Sequence, residues 1–217
     1  MQNVISLQDT VLVTGEVIAT NVSYEDFLTQ YDGQHVEWIN GVVIKMPTVG
    51  PQHNRLTRFC IVLLDDYLSL SKLGGDIFHA PMVMKVDPNL PRRAPDVFVI
   101  LPHKRHLIRE NDVAGPADLV IEIVSPGSQR QDRVDKYREY ERGSVPEYWL
   151  LDPTRQETLF HQLNENGVYD LVAPDKNGVY HSRVLKWLKI AVATFWRDPL
   201  PQGIQVTEMV KAMLKDA

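Results

Sequence analysis

The spacing of apolar residues divides the chain into helical and extended segments. From Gln52 to Ser71, Leu56, Phe59, Cys60, Leu63, Leu64, Tyr67 and Leu68 fall three and four residues apart. That period predicts a long helix with one buried stripe. Lys72-Leu-Gly-Gly closes it, since glycine tolerates the left-handed conformation at a helix C-terminus. A short helix is predicted over YEDFLTQY, with Ser23 as its N-cap. His35–Asn40 and Val42–Met46 flank the pair Asn40-Gly41, a strong hairpin signal. Residues 47–51 read as a loop.

Further along, Ile77–Val86 reads as a strand, Asp87-Pro-Asn-Leu-Pro as a turn, and Ala94–Leu101 as the second strand of that pair. Residues 102–116 read as a polar loop. Asp118-Leu-Val-Ile-Glu-Ile-Val is nearly continuous in β-branched and aliphatic residues, the pattern of a strand covered on both faces. Ser128–Arg142 is a charged helix stopped by Gly143, and Pro146–Asp152 is another strand that turns back through Asp152-Pro153. Strand, helix and strand over 117–152 make a βαβ unit, so the two strands are expected to be parallel neighbours with a right-handed crossover. Residues 155–190 alternate, with turns at Asn166-Gly167 and Asn177-Gly178, and 205–216 forms a terminal helix whose docking the pattern leaves open. The sum is an α/β fold: a mixed sheet with the long helix on one side and the charged helix on the other.

Composition refines this picture in few places. With 217 residues, 44% hydrophobic and 24% charged, one domain with a sizeable core is expected. It is placed at 23–196, with an extended arm over 1–22 and a helical tail over 197–217. A single cysteine, Cys60, excludes an internal disulfide framework and a cysteine-based zinc site. The first residues lack a basic stretch followed by an apolar one, and no apolar run nears membrane-spanning length. A cytoplasmic location is therefore expected. A net charge of −5 argues against a uniformly basic nucleic-acid-binding surface. A local basic stretch remains: Arg92, Arg93, Lys104, Arg105 and Arg109, with His103 and His106 among them. It reads either as a solvated loop or as a set of phosphate contacts.

The candidate chemistry begins at Glu122, a carboxylate inside an apolar strand. Burying it is costly unless it is paired or binds a cation. Asp96 is a similar exception, standing after Pro95 and before Val97-Phe98-Val99-Ile100. Alone it reads as a turn or cap residue. If the two strands are neighbours, both carboxylates converge on one divalent cation, and hard oxygen ligands suit Mg²⁺ or Mn²⁺. Lys136 follows on the next helix, with Asp132 and Tyr140 four residues to either side on the same face. It is either half of a solvated Asp–Lys pair or an ammonium facing a scissile phosphate. Glu37, on the first hairpin strand, and His53, at the start of the long helix, are further candidates.

These residues, in this order, resemble a known family. Ala94-Pro95-Asp96 followed by Glu122-Ile-Val resembles the PD-(D/E)XK nuclease superfamily. More closely, the chain resembles the Uma family of putative restriction endonucleases. The likeness rests on Glu37-x-x-Asn-Gly, His53, Ala-Pro-Asp96-Val and Ala-Asp118-Leu-Val-Ile-Glu122-Ile-Val-Ser125-Pro126. It continues through Asp132-x-x-x-Lys136-x-x-x-Tyr140 and Glu147-Tyr-Trp-Leu-Leu-Asp152-Pro153, over roughly residues 23–172. It implies a restriction-endonuclease-like mixed β-sheet flanked by helices and a Mg²⁺- or Mn²⁺-dependent endonuclease acting on DNA. Asp96 and Glu122 would hold the metal, and Lys136 would position or deprotonate the water. Glu37 would be a supporting ligand or orient a water. His53, Asp132, Asp118 and Ser125 would support those groups, and Arg92, Arg93, Lys104 and Arg105 would contact phosphates. One departure stands out: Val124 occupies the position two residues after Glu122 where the superfamily carries its lysine. The resemblance implies that Lys136 has taken over that role from the helix. A homodimer, with one site for each strand of a duplex, is expected. Two other readings remain: a nuclease-fold binding or scaffold protein without activity, toward which the low basic content points, and a hydrolase of RNA or another phosphate ester.

Overall fold

The computed structural model describes residues 15–46, 48–125, 128 and 130–215. Most of the expected N-terminal arm, together with Pro126 of the quoted motif, lies outside the described residues. The chain opens with β1 (Glu16–Ala19), α1 (Tyr24–Gln30), β2 (Val36–Ile39) and β3 (Val42–Lys45). The Ser23 hydroxyl accepts the Asp26 N–H at 3.0 Å, as an N-cap does. Asn40 and Gly41 both take positive φ, 48° and 87°, which a two-residue hairpin turn demands. The three strands form a small antiparallel sheet in the order β1-β3-β2. α2 (Pro51–Leu70) follows, with proline in its first turn, where no N–H is needed.

The remaining elements are β4 (Asp76–Phe78), β5 (Val83–Met84), β6 (Val97–Ile100), β7 (Asp112–Val113), β8 (Leu119–Ile123), α3 (Tyr137–Arg142), β9 (Glu147–Asp152), β10 (Glu157–Leu163), β11 (Tyr169–Leu171), β12 (Val179–His181), β13 (Lys189–Ala191) and α4 (Ile204–Lys215). Six strands make the central sheet, in the order β11-β10-β9-β8-β6-β4. β8 and β9 are parallel, as the βαβ reading requires, and the other neighbours are antiparallel.

Alternation along the strands gives the sheet two buried faces. Val97, Val99, Leu119, Ile121, Trp149 and Leu151 pack with the apolar stripe of α2 and with Val206, Val210 and Met213 of α4. Phe98, Ile100, Val120, Tyr148 and Leu150 pack with Tyr140 and Val145 on the opposite side. Fully burying a side chain such as Leu63 contributes about 1.5–3 kcal/mol. Packing of this kind, more than helix propensity, fixes α2 on the sheet.

Four expectations change. The strand over 77–86 is two strands, because Pro81 has no N–H to extend the ladder. β5 leaves the central sheet and pairs in parallel with β7. The 102–116 segment is not a plain loop, since it holds β7 and a 3₁₀ helix over Pro102–Leu107. The charged helix starts as a π-helical stretch, Gln131–Lys136, before continuing as α3. The terminal helix, whose docking the pattern left open, lies on α2, and the Thr207 hydroxyl donates to Asp66 at 2.8 Å.

Candidate active site

β6 and β8 run antiparallel with Val97 opposite Ile121 and Val99 opposite Leu119. Continuing that register by one pair sets Asp96 opposite Glu122. Both then project from one face of the sheet at adjacent positions, where directly opposed side chains approach closely. Asp96 precedes its strand, so its carboxylate is free to cap the neighbouring one: Oδ2 accepts the Ile123 N–H at 2.7 Å. The same oxygen is 3.1 Å from Nε2 of His53, in the first turn of α2. α2 covers the other face of the sheet, and its N-terminal end thus reaches round to the acid pair.

The π-helical stretch delivers the lysine. Such widened turns are frequent at functional sites. Here the turn directs Asp132 and Lys136 inward together. Lys136 Nζ lies 3.0 Å from Glu122 Oε2, 3.2 Å from Asp132 Oδ1 and 3.7 Å from Glu37 Oε1. The Tyr140 hydroxyl donates to Glu122 Oε1 at 2.6 Å, and the Tyr148 hydroxyl donates to the Asp132 carbonyl at 3.0 Å. Glu37 arrives on β2 of the small sheet. Its Oε2 accepts from Arg93 at 2.7 Å and from the Gln131 amide at 3.0 Å. Arg93 forks onto Glu139 as well, with two further hydrogen bonds of 2.7 Å.

Burial and charge set the protonation of this cluster. Burial pushes the Glu122 carboxyl up, and although Lys136 opposes the shift, Asp96 and Asp132 add to it, leaving a pKa of about 8. Burial also pushes the Glu37 carboxyl up, but Arg93 and Lys136 outweigh it and hold the group below the usual range. For Lys136, burial favours the neutral amine, but Glu122, Asp132, Glu37 and Asp96 together keep it a firm ammonium. Asp96 is the site's opening to solvent: its side chain is 19% exposed, against 1% for Glu122 and 5% for Lys136.

The donor set fits a hard divalent cation. Five carboxylates, of Glu37, Asp96, Glu122, Asp132 and Glu139, stand against two cationic side chains, Lys136 and Arg93. Burial first, and then the neighbouring Asp96 and Asp132 charges, push the Glu122 carboxyl up against the pull of Lys136. Three buried acceptors in the cluster, Glu37 Oε1, Gln131 Oε1 and Asp132 Oδ1, have no hydrogen-bond donor among the described residues. Among the described residues no group of three or more His, Cys, Asp or Glu side chains is arranged to hold a metal ion. A hard divalent cation such as magnesium needs only one or two carboxylates, with water and phosphate completing its shell. Asp96 and Glu122 are the pair that would hold it.

The other expected residues are placed as follows. Ser125 is joined to Ser128, whose hydroxyl accepts the Ser125 N–H at 3.0 Å, in the turn leading toward Asp132. Asp118 shares the face of Glu122 but lies four residues back along β8, about 13 Å at the usual strand rise. There it accepts the Leu101 N–H at 2.7 Å and pairs with Lys104 at 3.1 Å. Asp118 therefore anchors the far end of the strand, away from the acid pair. The basic stretch is not one surface. Arg93 is buried between Glu37 and Glu139, and Arg92 is buried with its guanidinium 3.5 Å above the Tyr24 ring. Neither is open to a phosphate. Arg105 pairs with Asp76 at 2.8 Å. Gln131 and Glu139 are members of the cluster that sequence reasoning missed. Their only sequence signal is position, since each lies within a turn or so of Lys136 on the same helical segment.

The sheet flanked by helices recurs in a solved structure. The crystal structure of a putative nuclease belonging to DUF820, from Anabaena variabilis ATCC 29413, superposes with a TM-score of 0.65 at 16% identity, covering 81% of this chain and 97% of that one. The fold is thus shared with a nuclease-like protein. The chain itself belongs to the Uma2 family, described as "Putative restriction endonuclease", whose model matches residues 23–193. The likeness drawn from the motifs and the restriction-endonuclease-like α/β class both hold. Among curated proteins nothing matches. No helix among the described residues is long and apolar enough to cross a membrane.

Proposed function

We propose that the chain is a divalent-cation-dependent endonuclease that hydrolyses phosphodiester bonds of DNA in the cytoplasm, acting as a homodimer. The observation that carries this reading is the register placing Asp96 opposite Glu122, with the Lys136 ammonium 3.0 Å from Glu122. A cation held by the two carboxylates would polarise a phosphoryl oxygen and acidify a water molecule. The protein's own residues supply the rest. Lys136 stays charged, so it is suited to orienting the attacking water and stabilising the charge that grows on the phosphoryl oxygens. Proton abstraction is not its role. Glu37, fixed by Arg93, holds the ammonium in place from below. Tyr140 and His53 orient Glu122 and Asp96 through the hydrogen bonds described above.

Plasmid nicking tests the reading. With Mg²⁺ or Mn²⁺, wild type converts supercoiled DNA to nicked and linear forms, and Asp96→Ala and Glu122→Ala fall to background. The pH profile follows from Glu122. Its folded pKa is raised, so below about 8 the carboxyl carries a proton that competes with the cation. Activity at limiting cation therefore climbs as pH rises toward 8. Equal background in wild type and both variants would overturn the proposal and leave a binding or scaffold role. Faster cleavage of RNA than of DNA would reassign the substrate.

A further inference from the structure

A cleft of about 710 Å³ lies between the N-terminal half of α2 and the segment leading into α4. Its volume is in the range of small-molecule sites. Gln52 forms part of its wall, one residue before the His53 that touches Asp96. Gln156, in the turn leaving β9, forms another part. β9 and β8 are parallel, with Ile123 opposite Leu151, so this turn lies at the same end of the sheet as the acid pair. Cleft and active site thus share one edge of the molecule.

The charges lining the cleft are mostly positive. Arg55, Arg58 and Arg197 line it, and Asp198 is the one acidic residue among the lining side chains. All three arginines are exposed, and among the described residues none is paired with a carboxylate. Excess positive charge without partners, on a protein of net charge −5, is costly to concentrate and suited to an anion. A guanidinium fork matches the geometry of a phosphate. Arg55 and Arg58 are neighbours on one helix face, about 4.5 Å apart along the axis. That is comparable to the rise of about 3.4 Å per phosphate of one strand along a duplex axis. Trp196, half-buried, adds aromatic surface to the same wall, a sequence-tolerant surface for bases.

We propose that this cleft seats the phosphate backbone of the nucleic acid strand leading away from the active site, with Arg55, Arg58 and Arg197 as its phosphate contacts. The assignment rests on the nuclease reading for its ligand, but its test does not depend on cleavage. A fluorescein-labelled oligonucleotide, single-stranded or duplex, is titrated in EDTA, and anisotropy is followed at several salt concentrations. The triple variant R55Q/R58Q/R197Q is expected to bind about 30-fold more weakly at low salt, with a log–log salt slope shallower by about 2–3 units. Lys176→Gln, which removes an exposed charge outside the cleft lining, is expected to leave both values unchanged. Unaltered affinity and slope in the triple variant would overturn the assignment, as would absence of binding by wild type. A changed molar mass in light scattering with unaltered affinity would also overturn it, giving the cleft to a second copy of the chain. Plasmid nicking by wild type and Asp96→Ala, run in parallel, reports on the nuclease reading separately.

Discussion

Lys136→Met will slow cleavage by about two to three orders of magnitude while divalent-cation binding is kept or strengthened. The size follows from losing one preorganised charge aimed at the developing phosphoryl charge. The separation of rate from binding follows from the geometry. Lys136 Nζ touches Glu122 at 3.0 Å and Asp132 at 3.2 Å, and it is itself a positive group that a cation must share them with. Removing it deepens the excess of carboxylates over cations and leaves Asp96 and Glu122 in place. Glu122→Gln behaves differently, losing both cleavage and affinity, because it removes a ligand. Single-turnover cleavage at saturating Mn²⁺, together with a Mn²⁺ titration followed by electron paramagnetic resonance, separates the two. Lys136→Arg, which keeps the charge, controls for the fold. A Lys136→Met protein that cleaves normally, or one that loses its Mn²⁺ affinity, would remove the lysine from the role assigned to it.

Arg93→Met will destabilise the protein by about 3–5 kcal/mol, the usual cost of breaking a buried ion pair from one side. At this chain length the loss corresponds to roughly 6–20 °C in Tm. Arg93 makes three hydrogen bonds of 2.7 Å to two buried carboxylates, Glu37 and Glu139. Methionine preserves much of the volume but strands Glu139 without a counter-charge and leaves Glu37 with only the Lys136 ammonium, 3.7 Å away. Adding Glu139→Gln to Arg93→Met will recover part of the loss, and a double-mutant cycle by thermal denaturation measures the coupling. A Tm within a degree or two of wild type would mean that the acids are already neutralised by other means.

Much of the fold was legible because its signals are local. The Asn40-Gly41 turn, the apolar stripe of α2 and the βαβ order around Glu122 each occupy a short window of sequence. The acid pair was legible for a related reason: a carboxylate within an apolar strand stands out against its neighbours, and two such strands invite pairing. Lys136 was located only through the motif order, since its four-residue spacing from Asp132 also describes an ordinary surface pair. What could not be read depends on distant partners. Arg93 is a buried strut instead of a phosphate contact because Glu37, 56 residues earlier, and Glu139, 46 residues later, fold against it. Nothing in Leu90-Pro-Arg-Arg-Ala-Pro announces burial. Asp118 misled for a geometric reason: it shares a face with Glu122, but strand rise carries it to the other end. The split of the 77–86 strand turned on Pro81, whose missing N–H outweighs the favourable composition around it. The arginine cleft was invisible because Arg55 and Arg58 sit on the polar face of α2, and Arg197 joins them only when the C-terminal segment folds back.

The most direct measurement is anomalous scattering from crystals soaked in Mn²⁺. The expected result is one ion in contact with both Asp96 and Glu122, with the Lys136 ammonium beside its open side and no direct bond from Glu37, Asp118 or Arg93. An ion bound elsewhere, or an acid pair that stays metal-free in protein that nicks DNA in the same Mn²⁺ buffer, would contradict the assignment of this cluster as the catalytic centre.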